Sequence, residues 1–371
     1  MTEQTLAMPL CRARGVPEIG IWLPVYGGWL RTRDRSRGPD IRGCLAIAQQ
    51  AEALGFDFLY ASENLLNCIH GPKVAVVDAW SLISALAATT SRIGLCAAVK
   101  PGFRSPLLVA RMIDTLTRIA GRGLAINLVC GWWQDEFDLA DVEWLDHAGR
   151  YDRADAFLRT LHRLFDPDME RSATRDLLVH TPFHPGTEGE PYRHFGFSGE
   201  GLPDIWVSGH SHRATRLTSE WGHCLFLNGM PDAQLAAHIA EVRQMAGRWG
   251  RKITVAVNAF VIATEHPEQA RERRGRIVQN RNDETISFFR GVMQASGASA
   301  WMNLSDEQMV DSNCGLDAGL VGSFAEVRDR LRALAGLGID RIVCQFDDPM
   351  RDVGPFMQHV IHPLKEAMQP E

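Results

Sequence analysis

Between Gly123 and Tyr151 the chain reads GLAINLVCGWWQDEFDLADVEWLDHAGRY. A run of small, branched and apolar residues carries one strongly polar side chain, Asn127, and stops at Gly131. Trp132, Trp133, Asp135 and Glu136 follow at once, and the stretch closes on Arg150 and Tyr151 at the start of a helix. An amide in an apolar run is costly to bury unless it is hydrogen-bonded. An amide, aromatic surface, a carboxylate and a cation thus gather past one strand's end. Further on, Gly209-His210-Ser211-His212 joins a strand pattern to a helix pattern. Ser211 is placed to cap that helix, and the helix's first N–H groups form a ready phosphate site. Arg150 would add the charge a phosphate needs. The competing reading is that Ser211 only caps its helix and Arg150 lies on the surface. His210 and His212 also resemble a two-histidine metal motif. Catalytic zinc needs a third ligand and a water, and no third ligand is signposted, so no metal is expected. Trp132 and Trp133, as neighbours, cannot face the same way; one is expected to face the ligand and the other the helices. Asp135 and Glu136, taken alone, also read as solvated loop charges, and residues 271–276 (RERRGR) as a wet helix face.

Such residues act together only if the fold brings them together. Short apolar runs at 19–25, 56–61, 92–99, 123–130, 204–208, 224–227, 253–263 and 339–346 read as strands. Helical patterns alternate with them at 41–54, 76–89, 106–119, 152–164, 212–221, 232–249, 324–337 and 353–368. Asp40 is suited to cap the first helix and Gly55 to end it. The alternation predicts the α/β class with a parallel sheet, and eight such units close into a (β/α)8 TIM barrel. The reading is a single barrel domain over residues 1–371. An open doubly wound sheet is the competitor, but no Gly-x-Gly-x-x-Gly follows the first strand, which disfavours a nicotinamide-binding Rossmann domain. Two insertions break the beat: a polar one at about 166–203 and a largely helical one at about 267–311. Both are expected to cover the mouth and set specificity. In a barrel, function sits just after the strands. Those positions are rich in glycine, aromatic and amide groups, which suits a large flat ligand with a few polar handles.

A net charge of −6 leaves no electrostatic footprint for nucleic acid or an anionic membrane. No run of about 18 apolar residues occurs, so no membrane span is expected. The eight cysteines, with no CxxC among them, read as reduced thiols; with no signal-peptide pattern at the start, the expected location is the cytoplasm.

Six phrases, in this order and spacing, carry a resemblance: residues 24–30 (PVYGGWL), 110–112 (ARM), 127–132 (NLVCGW) with Glu136, Arg150-Tyr151, 209–211 (GHS) and 320–323 (LVGS). The chain resembles the luciferase-like family of flavin-dependent monooxygenases over about 19–364. Within it the chain is most similar to the group of pyrimidine, dimethylsulfone and alkanesulfonate monooxygenases. The resemblance implies a barrel of the bacterial-luciferase type binding FMN at its C-terminal mouth. It places Asn64 and Leu65 beside the flavin, Asn127 at the isoalloxazine ring and Glu136 against the cofactor. It gives the phosphate to Arg150, Tyr151 and Ser211, and it makes Trp132 a wall of the pocket where oxygen meets the reduced ring. Asn127 and Trp132 are thereby the expected catalytic residues. Asn64-Leu65 and Ala98 depart from pyrimidine oxygenase, which has Ile-Lys and Thr there.

The expected function is the oxygenase half of a two-component system, with O2 as co-substrate and reduced FMN supplied by a separate NAD(P)H-dependent flavin reductase. It would insert one oxygen atom into a small N-heterocycle, sulfonate or sulfone. A homodimer or homotetramer is the family's usual assembly. Three alternatives share the fold: an F420-dependent hydride-transferring oxidoreductase, a metal-dependent hydrolase using His210 and His212, and a flavin-binding protein without turnover.

Overall fold

The computed structural model describes residues 16–33, 38–165, 201–297, 301 and 303–367. Nearly all of the first expected insertion, 166–203, lies outside them. Eight parallel strands form the wall: β1 (Glu18–Trp22), β2 (Phe58–Ala61), β3 (Gly94–Val99), β4 (Leu124–Leu128), β5 (Asp204–Ser208), β6 (Cys224–Leu227), β7 (Thr254–Thr264) and, after a short β8 (Val321–Ser323), β9 (Arg341–Phe346). Each of the eight pairs with its neighbour in sequence order, β7 pairs with β9, and β9 returns to β1, so the sheet closes into a (β/α)8 barrel. Helices cover the outside, and nearly every strand residue is therefore buried, which is why the strands read as continuous apolar runs rather than alternating ones.

The helices are α1 (Ile41–Leu54), α2 (Ala79–Thr89), α3 (Pro106–Ala120), α4 (Gln134–Leu139), α5 (His147–Phe165), α6 (His212–Trp221), α7 (Asp232–Gly247), α8 (Pro267–Gln279), α9 (Asp283–Ser296), α10 (Phe324–Leu337), α11 (Pro349–Phe356) and α12 (His362–Glu366). Some boundaries differ from the sequence reading, and capping explains two of them. Asp78 accepts the Ser81 N–H, so α2 begins at Ala79 rather than at 76. Asp348 accepts the Arg351 N–H, so α11 begins at Pro349 rather than at 353. Helix α5 begins at His147, five residues earlier than expected, which places Arg150 and Tyr151 within its first turns. Strand β8 is unforeseen: its three residues pair with the end of β7 beyond the ring and lead into a capping box at Ser323 and Glu326.

The barrel's two ends divide the work. At the bottom, the first residues of β1, β5 and β9 meet inside the barrel. The Arg341 guanidinium donates to Glu18 at 2.8 Å, bridges Asp204 at 3.0 Å, and lies 4.9 Å from the Trp206 ring. These carboxylates hold the Arg341 cation well above its ordinary range, while burial pushes Glu18 up. At the top, the second insertion supplies α8 and α9. On α8, Arg273 turns inward to clamp Asp347 and Asp352, while Arg271 and Arg276 stay exposed as a wet face would. On α9, Ile286, Phe289 and Met293 form with Met309 a small second core against Trp132 and Trp301. This core is distinct from the barrel's own, and it roofs part of the mouth. Among the described residues no helix is long and apolar enough to cross a membrane. The seven described cysteines are free, buried thiols.

Candidate active site

A cavity open to solvent lies at the C-terminal ends of β1 to β6 beneath α9. Its lining divides into an anion-seeking end, a polar floor and an aromatic wall with a buried lysine.

The anion-seeking end is built by α5 and by the start of α6. Ser211 caps α6, its hydroxyl accepting the Ala214 N–H at 3.2 Å, and it also lines the cavity. Capping and cavity lining are therefore not alternatives. The Tyr151 hydroxyl is hydrogen-bonded with Ser211, and burial raises its pKa. Arg150 is not on the surface: it is 4% exposed and lines the cavity. Its guanidinium donates to the carbonyl oxygens of Leu145 (2.7 Å) and Ser296 (3.3 Å) and lies 4.2 Å from the Trp144 ring. Among the described residues it has no carboxylate in ion-pair range, so a buried cation lacks a counter-anion. Burial, then the cations of Arg150 and Arg213, hold His147 below its usual pKa. The backbone is shaped for close approach. Gly209 has φ of +145°, and a Cβ there would stand 2.8 Å from the Tyr151 hydroxyl and 2.9 Å from the Ala214 Cβ. Gly209→Ala is expected to cost about 1–3 kcal/mol of stability and to weaken binding of an anionic ligand, measured by thermal unfolding with and without reduced FMN.

In the floor, Asn127 stands behind the residues that line the cavity. Its side chain is fully buried in β4, donating to the Tyr60 hydroxyl at 2.8 Å and accepting from Ser208 at 2.9 Å. Tyr60 and Ser208 are the groups that face the ligand space, with Ala98 between the strands that carry them. Asn127 thus satisfies its amide inside the barrel and holds two hydroxyl groups in place.

Glu136 and Leu65 likewise stand outside the cavity lining. The Glu136 carboxylate is fully buried on α4 and does not line the cavity. One oxygen accepts from Asn64 (2.8 Å), the Leu65 N–H (2.7 Å) and the Leu66 N–H (3.2 Å); the other accepts from the Lys100 ammonium. Leu65 is 40% exposed and does not line the cavity. Asn64 does line the cavity, and its carbonyl oxygen accepts the Tyr26 hydroxyl at 2.5 Å. Far from being a solvated loop charge, Glu136 ties the segments after β2, β3 and β4 together.

Gly131, with φ of +95° and its Cα packed against the Phe137 ring, turns the chain so that Trp132 enters the cavity lining. Trp133 is 1% exposed, stacks on Trp132 at 5.7 Å and packs against Phe288 of α9. Trp132 lines the cavity and Trp133 does not, while both rings meet α9. Phe289 and Trp301 extend the aromatic wall at 5.8 and 6.4 Å from Trp132.

Two lining groups, Lys100 and Glu63, stand among the post-strand positions the sequence pointed to without a role of their own, and a third, Arg31, was missed. Lys100 ends β3 and is 1% exposed. Glu63 accepts from Arg104 and from the Lys100 N–H, each at 2.6 Å, and burial, opposed by Arg104, raises it to about 7. Arg31 reaches in from the polar loop after β1, donates to the carbonyls of Met309, Asp311 and Cys68, and lies 3.7 Å from the Phe289 ring. The signal for Lys100 and Glu63 was their position just past a strand; for Arg31 there was none, since exposed and buried arginines look alike in a polar loop. The metal reading loses its ligands. His210 Nε2 accepts the Asn228 N–H at 3.0 Å, burial lowers its pKa to about 4, and His212 is exposed on α6.

A family model described as luciferase-like monooxygenase matches residues 18–341. The chain belongs to the luciferase-like monooxygenase family. An FMNH2-dependent dimethylsulfone monooxygenase of Pseudomonas putida is 27% identical over 362 residues, covering 94% of this chain and 95% of that one. Among solved structures, a long-chain alkane monooxygenase superposes with a TM-score of 0.75 at 21% identity, over 96% of this chain and 92% of that one. A riboflavin lyase, solved with modified FMN and riboflavin, gives 0.76 at 20%, over 95% and 92%. Membership agrees with the closed barrel and with a site at its C-terminal mouth, where proteins of this architecture place their chemistry.

Proposed function

We propose that the protein is an FMNH2-dependent monooxygenase and the oxygenase component of a two-component system. In this reading it is one barrel domain in the cytoplasm, works as a homo-oligomer, and takes reduced FMN from a separate reductase. The observation that carries this is the anion-seeking end. A buried arginine that has no carboxylate partner among the described residues, a capped helix N-terminus and a glycine-shaped approach meet at one edge of an aromatic-walled cavity. That is the donor set for a phosphate tail with a planar ring beyond it.

Arg150, Tyr151, Ser211 and the first N–H groups of α6 hold the phosphate. Tyr60 and Ser208, fixed by Asn127, and Asn64, fixed by Glu136, supply hydroxyl and amide contacts along the ring. When bound there, reduced FMN would supply the electrons that activate O2, so that one oxygen atom could go to the substrate and the other leave as water. The wall of Trp132, Phe289 and Trp301 keeps bulk water away while this occurs. The relatives' dimethylsulfone activity makes a small sulfone the first substrate to test, with sulfonates and N-heterocycles after it.

The test is an anaerobic titration with reduced FMN, then exposure to air with that substrate panel and a generic flavin reductase. Binding of reduced FMN and oxygenated product are expected. Tight binding of reduced F420 with none of reduced FMN would replace oxygenation by hydride transfer. Binding without any product from the panel would leave a flavin-binding protein without this turnover.

A further inference from the structure

Lys100 is an unusual resident of a cavity wall. It stands at the end of β3, is 1% exposed, and lines the same space as Trp132 and Asn64. Its ammonium lies 5.5 Å from the Phe103 ring and 5.7 Å from the Trp132 ring, so its surroundings are aromatic. Of its three N–H donors, one goes to Glu136; among the described residues the ammonium has no second hydrogen bond. Glu136 is itself held by three further donors from the β2 loop, so the ammonium is fixed rather than swinging on its stem. A buried charge with donors left over is expensive unless something completes its hydrogen bonds.

We propose that Lys100 is a specificity-determining residue that receives a hydrogen-bond-accepting oxygen of the second molecule in the cavity, with Glu136 as its positioning residue. The proposal rests on the monooxygenase reading for the chemistry after binding, but the recognition step stands on the lysine alone. Its chemical content is a discrimination. A substrate carrying an oxygen acceptor satisfies the spare donors. An alkane or a thioether of the same size covers the ammonium and leaves them unmade. A site built to hydrogen-bond one group rejects the analogue that lacks it far more strongly than an apolar pocket separates two shapes.

The experiment uses the purified full chain and the cavity tryptophans as reporters. Quenching of tryptophan fluorescence is titrated with dimethyl sulfone, methanesulfonate and dimethyl sulfide, which are close in size and differ in oxygen acceptors. The wild-type protein is expected to prefer both oxygenated probes over the sulfide by about tenfold or more. Lys100→Met should level the three. That variant leaves Glu136 buried without its cation and can fail to fold, so K100M/E136Q is made beside it; removing both charges of a buried pair is far better tolerated than removing one. In the double variant the amide oxygen introduced by E136Q can still accept from Asn64, Leu65 and Leu66. Glu136→Gln alone keeps the ammonium but frees it, and should reduce the preference without abolishing it. A structural role for the pair would lower the melting temperature without moving the ratio between probes. Equal binding of sulfone and sulfide by the wild type, or an unchanged ratio in K100M/E136Q, overturns the proposal. Failure to bind reduced FMN would overturn the monooxygenase reading instead, and leaves these ratios measurable.

Discussion

Arg150→Met is expected to weaken the binding of reduced FMN about a hundredfold, the effect of removing a charge-assisted contact worth roughly 2–3 kcal/mol. The setting accounts for the size. Arg150 is 4% exposed, and among the described residues its guanidinium is bonded to carbonyl oxygens, pairs with no carboxylate and lies 4.2 Å from the Trp144 ring. Arg150→Lys should fall between the two, because a point charge replaces a planar fork that also braces Leu145 and Ser296. Anaerobic titration at two salt concentrations checks this: the wild-type affinity should drop with salt and the methionine variant's should drop less. An Arg150→Met protein that binds reduced FMN like the wild type would move the phosphate elsewhere and sink the assignment of the anion-seeking end.

Arg341→Met should have the largest effect on stability, a loss of about 3–5 kcal/mol, or a fall of about 5 °C in melting temperature for a chain of this length. It strands Glu18 and Asp204, both nearly fully buried, beside an apolar side chain. The triple change that also neutralises both carboxylates should recover part of the loss, since a neutral interior avoids the stranded charges. Affinity for reduced FMN, measured well below the transition, should stay near that of the wild type in both variants. The cluster lies at the opposite strand ends from the cavity, and thermal unfolding combined with titration separates the two effects.

The barrel was legible because its strands are buried on both faces. Runs such as 92–99 and 253–263 are mostly apolar, broken only by Arg92, Thr254 and Asn258, and each holds a strand of the closed ring. Strand β8 was not, because three residues carry no period to read. At the site, the sequence placed Arg150, Tyr151 and Ser211 together, and the structure brings them to one edge of the cavity. It did not show which way a polar side chain turns once its strand ends. Asn127 and Glu136 sit one step behind the ligand space, and their work is done through Tyr60, Ser208, Asn64 and Lys100. An amide in an apolar run or an acidic residue in a loop signals only that a partner must exist. Who that partner is depends on neighbours distant in the chain: Glu136 meets Asn64 and Lys100, 72 and 36 positions away.

The knot around Glu136 sets the terms on which this scaffold can be retuned. Three loops hang from one carboxylate, so a change to any of them is felt by the other two, and a library that randomises those loops would return mostly collapsed proteins. The roof on α9 is tied down differently, by Arg150 donating to Ser296 at one end and by Arg31 lying on Phe289. Phe289 is the place to start for anyone recutting the mouth, since its ring meets Trp132 and Trp301 rather than Tyr151 and Ser211.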